Sequence, residues 1–145
     1  MKWLMIVILA ACGTAASTST HHDTLASIPS AASAALQRAA GDAKIEKVER
    51  EGDLYEASWY VDGLEHEASV TAAGELIERE EEVPSSQVPA VVRALAIAKL
   101  PQSTSIKFVK LMNGNYEAEA GEHEIVVTPD GRLVGSGDDD EDDDD

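Results

Sequence analysis

Cysteine is nearly absent from this chain, which has a single one, Cys12. One thiol excludes an intramolecular disulfide and any metal centre built from several thiolates. Aromatic residues are also scarce: two Trp, three Tyr and one Phe in 145 residues. A core must therefore rest on Trp59, Tyr55, Tyr116, Phe108 and small aliphatic side chains, which predicts a domain of modest stability. Positive charge is sparse too, with 11 Lys and Arg against 28 Asp and Glu and a formal net charge of −17. That balance repels phosphate backbones and argues against nucleic acid as a partner. No apolar run reaches the roughly 20 residues that a membrane-spanning helix needs.

The one apolar run present is short. Lys2 precedes Trp3–Ala11, and the run ends Leu9-Ala10-Ala11-Cys12. A positive start, a brief hydrophobic stretch and small residues before a cut site describe a secretory signal over residues 1–11. Leu-Ala-Ala-Cys resembles the lipobox of bacterial lipoproteins. The resemblance implies cleavage before Cys12, lipidation of its thiol, and a place in the cell envelope facing the periplasm. Several acyl chains on one residue hold a soluble domain at a bilayer where a single chain binds only marginally. By the same resemblance, Gly13 is not an inner-membrane retention signal, so the outer membrane is expected. Residues 12–26 are small and polar and are expected to form a flexible tether. His21-His22-Asp23 lies within it, but neighbouring histidines in a mobile tether lack the preorganisation of a specific metal site.

Internal self-similarity organises the rest. Ile28-Pro29 matches Val88-Pro89, and Tyr55-Glu56-Ala57 matches Tyr116-Glu117-Ala118. Glu65-His66-Glu67 matches Glu122-His123-Glu124, and Val70-Thr71, Gly74 and Leu76 match Val127-Thr128, Gly131 and Leu133. The order is the same in both copies, assigned to residues 27–84 and 85–135, with an acidic tail over 136–145. Each copy predicts a helix followed by an antiparallel meander, an α+β fold with helices packed on one face of the sheet or sheets. The first helix is expected over 29–40, opened by proline and stopped by Gly41, with Ile28, Ala32, Ala35, Leu36 and Ala39 inward. The second is expected over 89–100, with Val88, Val92, Leu95 and Ala96 inward and Pro101 ending it.

The strands carry a period of two. Tyr55, Ala57, Trp59 and Val61 share one face, and Glu56, Ser58, Tyr60 and Asp62 the other. Asp62-Gly63 is a two-residue hairpin turn. Its register sets Val61 opposite Leu64, Trp59 opposite His66 and Tyr55 opposite Val70, so the apolar sets coincide. Outer strands are expected over 45–50 and 75–81. In the second copy, keeping Tyr116 opposite Val127 places Gly121-Glu122 at the turn. That copy loses two residues from each strand, and an even deletion preserves which side chains face inward.

This order of motifs resembles the PepSY-like module, and its doubling resembles the arrangement of β-lactamase-inhibitor-like proteins. The resemblance spans residues 28–134. It implies a periplasmic or surface module that binds or restrains other proteins, peptidases among them. Histidine at 66 and 123 departs from the aromatic residue commoner there, and the first helix is unusually rich in alanine.

Little in the chain suggests catalysis. His66 and His123 fall on the apolar side of their strands with no Ser or Asp placed to orient them, so no catalytic residue, cofactor or metal site is expected. The candidate surface is the other side of the sheet. There Glu56, Glu65, Glu67 and Tyr60 share a face, with Glu117, Glu119, Glu122 and Glu124 on its counterpart. Such a face keeps a sheet soluble and blunts strand pairing; it also suits a basic protein partner with Tyr60 as an aromatic anchor. Eight of the acidic residues occupy positions 138–145, a run that cannot fold alone. Its spacing lacks the glycine turn and closing glutamate of an EF-hand loop, although calcium buffering by tail and glutamates is an alternative role.

Overall fold

Pro29, with φ −52°, sets the chain into helix α1 (Ser30–Ala40), and Gly41, at φ +63°, stops it. This computed structural model describes residues 21–102 and 105–136. The leader, Cys12, the start of the tether and the acidic run fall outside them. After α1 come four strands: β2 (Ile45–Glu51), β3 (Leu54–Val61), β4 (Leu64–Thr71) and β5 (Leu76–Val83). A 3₁₀ turn over Ser85–Gln87 leads to α2 (Ala90–Lys99), which ends at Leu100 because the residue before Pro101 is held extended, at ψ 154°. Strands β6 (Lys107–Leu111), β7 (Tyr116–Ala120), β8 (His123–Val127) and β9 (Leu133–Ser136) follow.

The strands of the described residues, from β1 (His21–Asp23) to β9, join in one antiparallel sheet in sequence order. Its first member pairs with β2 and corrects the expected tether. Residues 21–26 are held because β2 offers an unpaired edge and Leu25 has apolar surface to pack against the core. A side-chain hydrogen bond closes the turn after β1, the Thr24 N–H donating to Ser27 Oγ at 2.9 Å. The hairpin registers agree with the pattern in the sequence: Val61 faces Leu64, Trp59 faces His66, Tyr55 faces Val70, and Tyr116 faces Val127. Gly121, at φ +68°, makes the turn between Ala120 and His123.

Cross-strand partners share a face, so one row decides where both helices lie. Trp59 pairs with His66, His66 with Glu81, Glu81 with Lys110, Lys110 with Tyr116 and Tyr116 with Val127. Trp59 belongs to the core under α1, and Tyr116 and Val127 belong to the core under α2. Both helices therefore cover the same side. The α1 core gathers Ala32, Leu36, Val48, Ala57, Trp59 and Val70; the α2 core gathers Val92, Ala96, Phe108, Ala118, Ile125 and Val127. Between them the helix side of β5 carries Arg79 and Glu81, joined by an ion pair at 3.0 Å. Ala40 joins the expected stripe of α1, with Ala39 half-buried against the same core; one expected inward position differs, Val61, which is 41% exposed at the hairpin tip, beyond the helix's cover.

Close packing at two glycines holds the helices down. A Cβ on Gly74 (φ +83°) would stand 2.6 Å from the Ala31 carbonyl oxygen of α1, and one on Gly131 (φ +87°) would stand 3.1 Å from Val91 Cβ of α2. Among the described residues no helix is long and apolar enough to cross a membrane.

Candidate functional site: the acidic face of the sheet

Opposite the helices, the same pairing rule builds a second surface. Glu49 lies beside Glu56, Glu56 beside Ser69, and Ser69 beside Glu78. In the next row Lys47, Ser58, Glu67, Glu80 and Leu111 are successive partners. Further along, Tyr60 pairs with Glu65, and Glu82, Val109, Glu117 and Val126 run across the second half. Lys107, Glu119 and Glu124 form the last row. The two faces expected from the sequence are thus one continuous surface.

Burial on this surface is deeper than an open strand face requires. Glu80 is 7% exposed, with Ser69 and Val109 each at 3%, while Glu56, Glu65, Glu67, Glu117, Glu119 and Glu124 are half-buried. Long carboxylate side chains in adjacent rows screen one another from water. Cations on the face are few. Lys107 Nζ lies 3.9 Å from Glu65 Oε2 and 3.6 Å from Glu119 Oε2, and Lys47 Nζ lies 2.7 Å from Glu49 Oε2. Neutral donors add a little: Ser69 Oγ donates to Glu56 at 3.3 Å, Tyr60 Oη donates to Glu65 at 3.5 Å, and the Glu65 N–H donates to Glu82 at 3.0 Å.

Crowding resists ionisation. Burial first, then repulsion from Glu67 and Glu51, raises the Glu56 carboxyl to about 7, with the Ser69 hydroxyl opposing. Glu117 is raised to about 8, mainly by burial, then by a hydrogen bond shared with Glu119 and by repulsion from Glu80 and Glu124. Glu78 and Glu124 move in the same direction, again chiefly through burial. Near neutral pH the face therefore holds protons that a cation could displace.

Seven of the eight residues singled out from the sequence meet here: Glu56, Tyr60, Glu65, Glu67, Glu117, Glu119 and Glu124. Glu122 stands apart, exposed in the turn between β7 and β8. His66 lies on the helix side, stacked on Trp59 with ring centroids 6.1 Å apart, and His123 is exposed opposite Ala120. Sequence reasoning missed Glu78, Glu80, Glu82, Glu49 and Lys107. The alternate spacing of Glu78, Glu80 and Glu82 was the available signal. Among the described residues no group of three or more His, Cys, Asp or Glu is arranged to hold a metal ion.

No family model matches the chain, and no curated protein does. Solved structures do. A protein described as periplasmic from Bacteroides eggerthii superposes with a TM-score of 0.65 at 16% identity, over 75% of this chain and 87% of that one. A BLIP-like protein from Bacteroides fragilis superposes with a TM-score of 0.56 at 21% identity, over 75% and 84%. The fold is BLIP-like. A DUF2874 family protein from Bacteroides uniformis shares it, with a TM-score of 0.58 at 15% identity over 74% and 87%. At these identities the likeness is one of fold. In this BLIP-like sheet, helices cover one side and carboxylates line the other.

Proposed function

We propose that this chain is a non-catalytic envelope protein that acts as a protein-binding or inhibitory module through the acidic face of its sheet. The observation that carries the reading is the burial of Glu56, Glu80 and Glu117 on a surface that no helix of the described residues covers. Carboxylates kept merely for solubility gain nothing from being enclosed, because enclosure opposes their charge. A basic partner would bring further positive charge to this acidic face, and Tyr60, 53% exposed beside Glu65, offers an aromatic contact at the rim. Two related helix-plus-meander copies, fused edge to edge, account for the breadth of the surface. The lipobox resemblance at Cys12 supports a lipid anchor, and the periplasmic description of a fold relative supports the compartment.

A pull-down from envelope extract tests this, comparing the wild-type chain with Tyr60→Ala and with Glu65→Lys/Glu67→Lys. The proposal expects capture to fall in both variants and to weaken as salt is raised. Capture unaffected by either change would refute it.

A further inference from the structure

The two helices leave a strip of their own side of the sheet open. Helix α1 lies over β3 and β4, and α2 packs over β7 and β8. Their axes therefore stand four strands apart, about 19 Å at the usual strand spacing. Helices in contact stand about 8–10 Å apart, so a slot one helix wide runs between them along β5. Its floor is Arg79 and Glu81, whose side chains are 37% and 35% exposed, with His66 and Lys110 as the cross-strand partners of Glu81 on either side.

Helical periodicity assigns the walls. Ala31 of α1 packs against Gly74 in the turn that leads into β5, so the flank carrying Ala31, Ala34 and Arg38 faces the slot. Val91 of α2 packs against Gly131 in the turn that leads into β9. Arg93, about 200° further round that helix, faces the other way, towards β5. Ile97, one turn on and 56% exposed, shares that flank. Four cations, Arg38, Arg79, Lys110 and Arg93, thus surround one carboxylate, Glu81, in a chain whose net charge is −17. Among the described residues, the side-chain nitrogens enclosed without a hydrogen-bond partner are His66 Nδ1, Arg79 Nε and Arg93 Nε, and all three belong to this slot. Arg79 Nε stands 3.0 Å from Glu81 Oε1, but without hydrogen-bond geometry. An enclosed N–H without an acceptor is unfavourable, and a carboxylate oxygen supplies the acceptor.

We propose that the slot between α1 and α2 docks an amphipathic helix of another protein, with glutamates or aspartates turned towards β5 and small or apolar residues against the walls. The occupant is helical because β5 is already paired on both sides, with β4 and β6. An extended chain lying on it would leave its own N–H and C=O groups unsatisfied, whereas a helix satisfies them internally. It is acidic because the floor and both walls are basic. A second copy of this chain is the wrong occupant: neither α1 nor α2 carries an acidic residue, and each has a basic one in its last turn. The slot lies on the opposite side of the sheet from the acidic face and does not depend on the function proposed for that face.

The test uses the full chain in detergent and a labelled peptide of Glu, Ala and Leu, stapled as a helix with its glutamates on one face and followed by fluorescence anisotropy. About 16 residues give it the length of β5. Four changes are each expected to weaken binding about tenfold or more: spreading the same glutamates round the helix, breaking an unstapled version with central prolines, Arg38→Glu/Lys110→Glu at two exposed side chains of the slot, and Ala34→Trp on its wall. Glu65→Lys/Glu67→Lys on the acidic face is expected to leave binding unchanged, which separates the two sites. Absence of binding to the wild-type chain would overturn the proposal. So would equal affinity for the one-faced, spread and broken peptides, since only diffuse charge attraction would then be at work. Binding unaffected by both slot variants, with their folds confirmed by circular dichroism, would overturn it too. Binding seen only once residues 138–145 are deleted would give the slot to the chain's own acidic run instead of a partner, and a dimer that Arg38→Glu/Lys110→Glu dissolves would give it to a second copy; either result refutes the assignment.

Discussion

Raising the pH from about 5 to about 9 is expected to weaken this fold, and the acidic face sets the amount. In the unfolded chain the Glu56 and Glu117 carboxyls ionise near 4.5; in the fold they do so at about 7 and about 8. Below 4.5 both are protonated in either state, and the fold loses nothing. Above it the unfolded chain releases these protons while the fold keeps them, so stability falls as the pH rises through the folded values and levels off beyond about 8. At about 1.4 kcal/mol per pH unit, Glu56 accounts for at most about 3.5 kcal/mol and Glu117 for at most about 5. Both are ceilings, because the carboxyls are only half-buried and water screens them. A net loss of about 2–4 kcal/mol is expected once solvent screening is allowed for. For a folded unit of this size that corresponds to a fall in melting temperature of about 10 °C or more. Circular-dichroism melts at fixed ionic strength, on the wild type and on Glu56→Gln/Glu117→Gln, measure it. The double variant should show a much flatter profile and be the more stable chain at the alkaline end. A wild-type melting temperature that is constant or rises over this range would refute the reasoning, as would a double variant that falls in parallel.

Other outcomes follow from the packing. Gly74→Ala forces a Cβ against the Ala31 carbonyl at a positive φ and should cost about 2 kcal/mol or more in chemical denaturation. Gly52→Ala meets nothing within 4 Å, so only its positive φ is penalised, by about 1 kcal/mol. Trp59→Ala removes the largest fully buried side chain and should cost about 3–5 kcal/mol, whereas Tyr60→Ala should stay within about 0.5 kcal/mol. A basic partner on the acidic face draws protons off Glu56 and Glu117, so its affinity should rise between about pH 6 and 8. Calorimetry in buffers of different ionisation heat should register the protons released.

Where side chains alternate between apolar and polar, the sequence carries the fold in readable form. Tyr55, Ala57 and Trp59 against Glu56, Ser58 and Tyr60 give parity, and Asp62-Gly63 gives the turn, so the register of β3 and β4 follows from chemistry alone. The register of β7 and β8 follows in the same way, with Tyr116 opposite Val127. Strand β5 resists the same reading. Its run Glu78-Arg79-Glu80-Glu81-Glu82 is charged at every position, so no apolar side chain tells the two faces apart. The physical reason lies between the helices: neither helix core includes Arg79 or Glu81, so β5 needs no apolar residue at those positions. The strand that centres the acidic face was therefore the one with least pattern. The joining of both hairpin regions into one sheet was hidden for a related reason. It depends on β5 and β6 pairing Glu80 with Leu111 and Glu82 with Val109, partners with no mutual preference legible in sequence. The hold on residues 21–23 was missed because the run His21-His22-Asp23 has no apolar alternation from which a strand could be read.

Glutamine in place of Glu56 and Glu117 would keep the shape and remove a charge the fold resists, so the acidic face works against stability near neutral pH. Solubility does not require it. Exposed carboxylates such as Glu46, Glu75 and Glu122 already serve that end without being enclosed. The enclosed ones differ in being poised: they carry protons that a cation can exchange, and their neighbours Lys107 and Lys47 sit at the margins of the rows rather than at the centre. Repeating the envelope pull-down with the Glu56→Gln/Glu117→Gln chain puts the two explanations in opposition. If the face exists for docking, the variant gains stability and loses its partner in the same step. If it exists for solubility, stability rises and capture is unchanged, and the acidic face is then no binding surface at all.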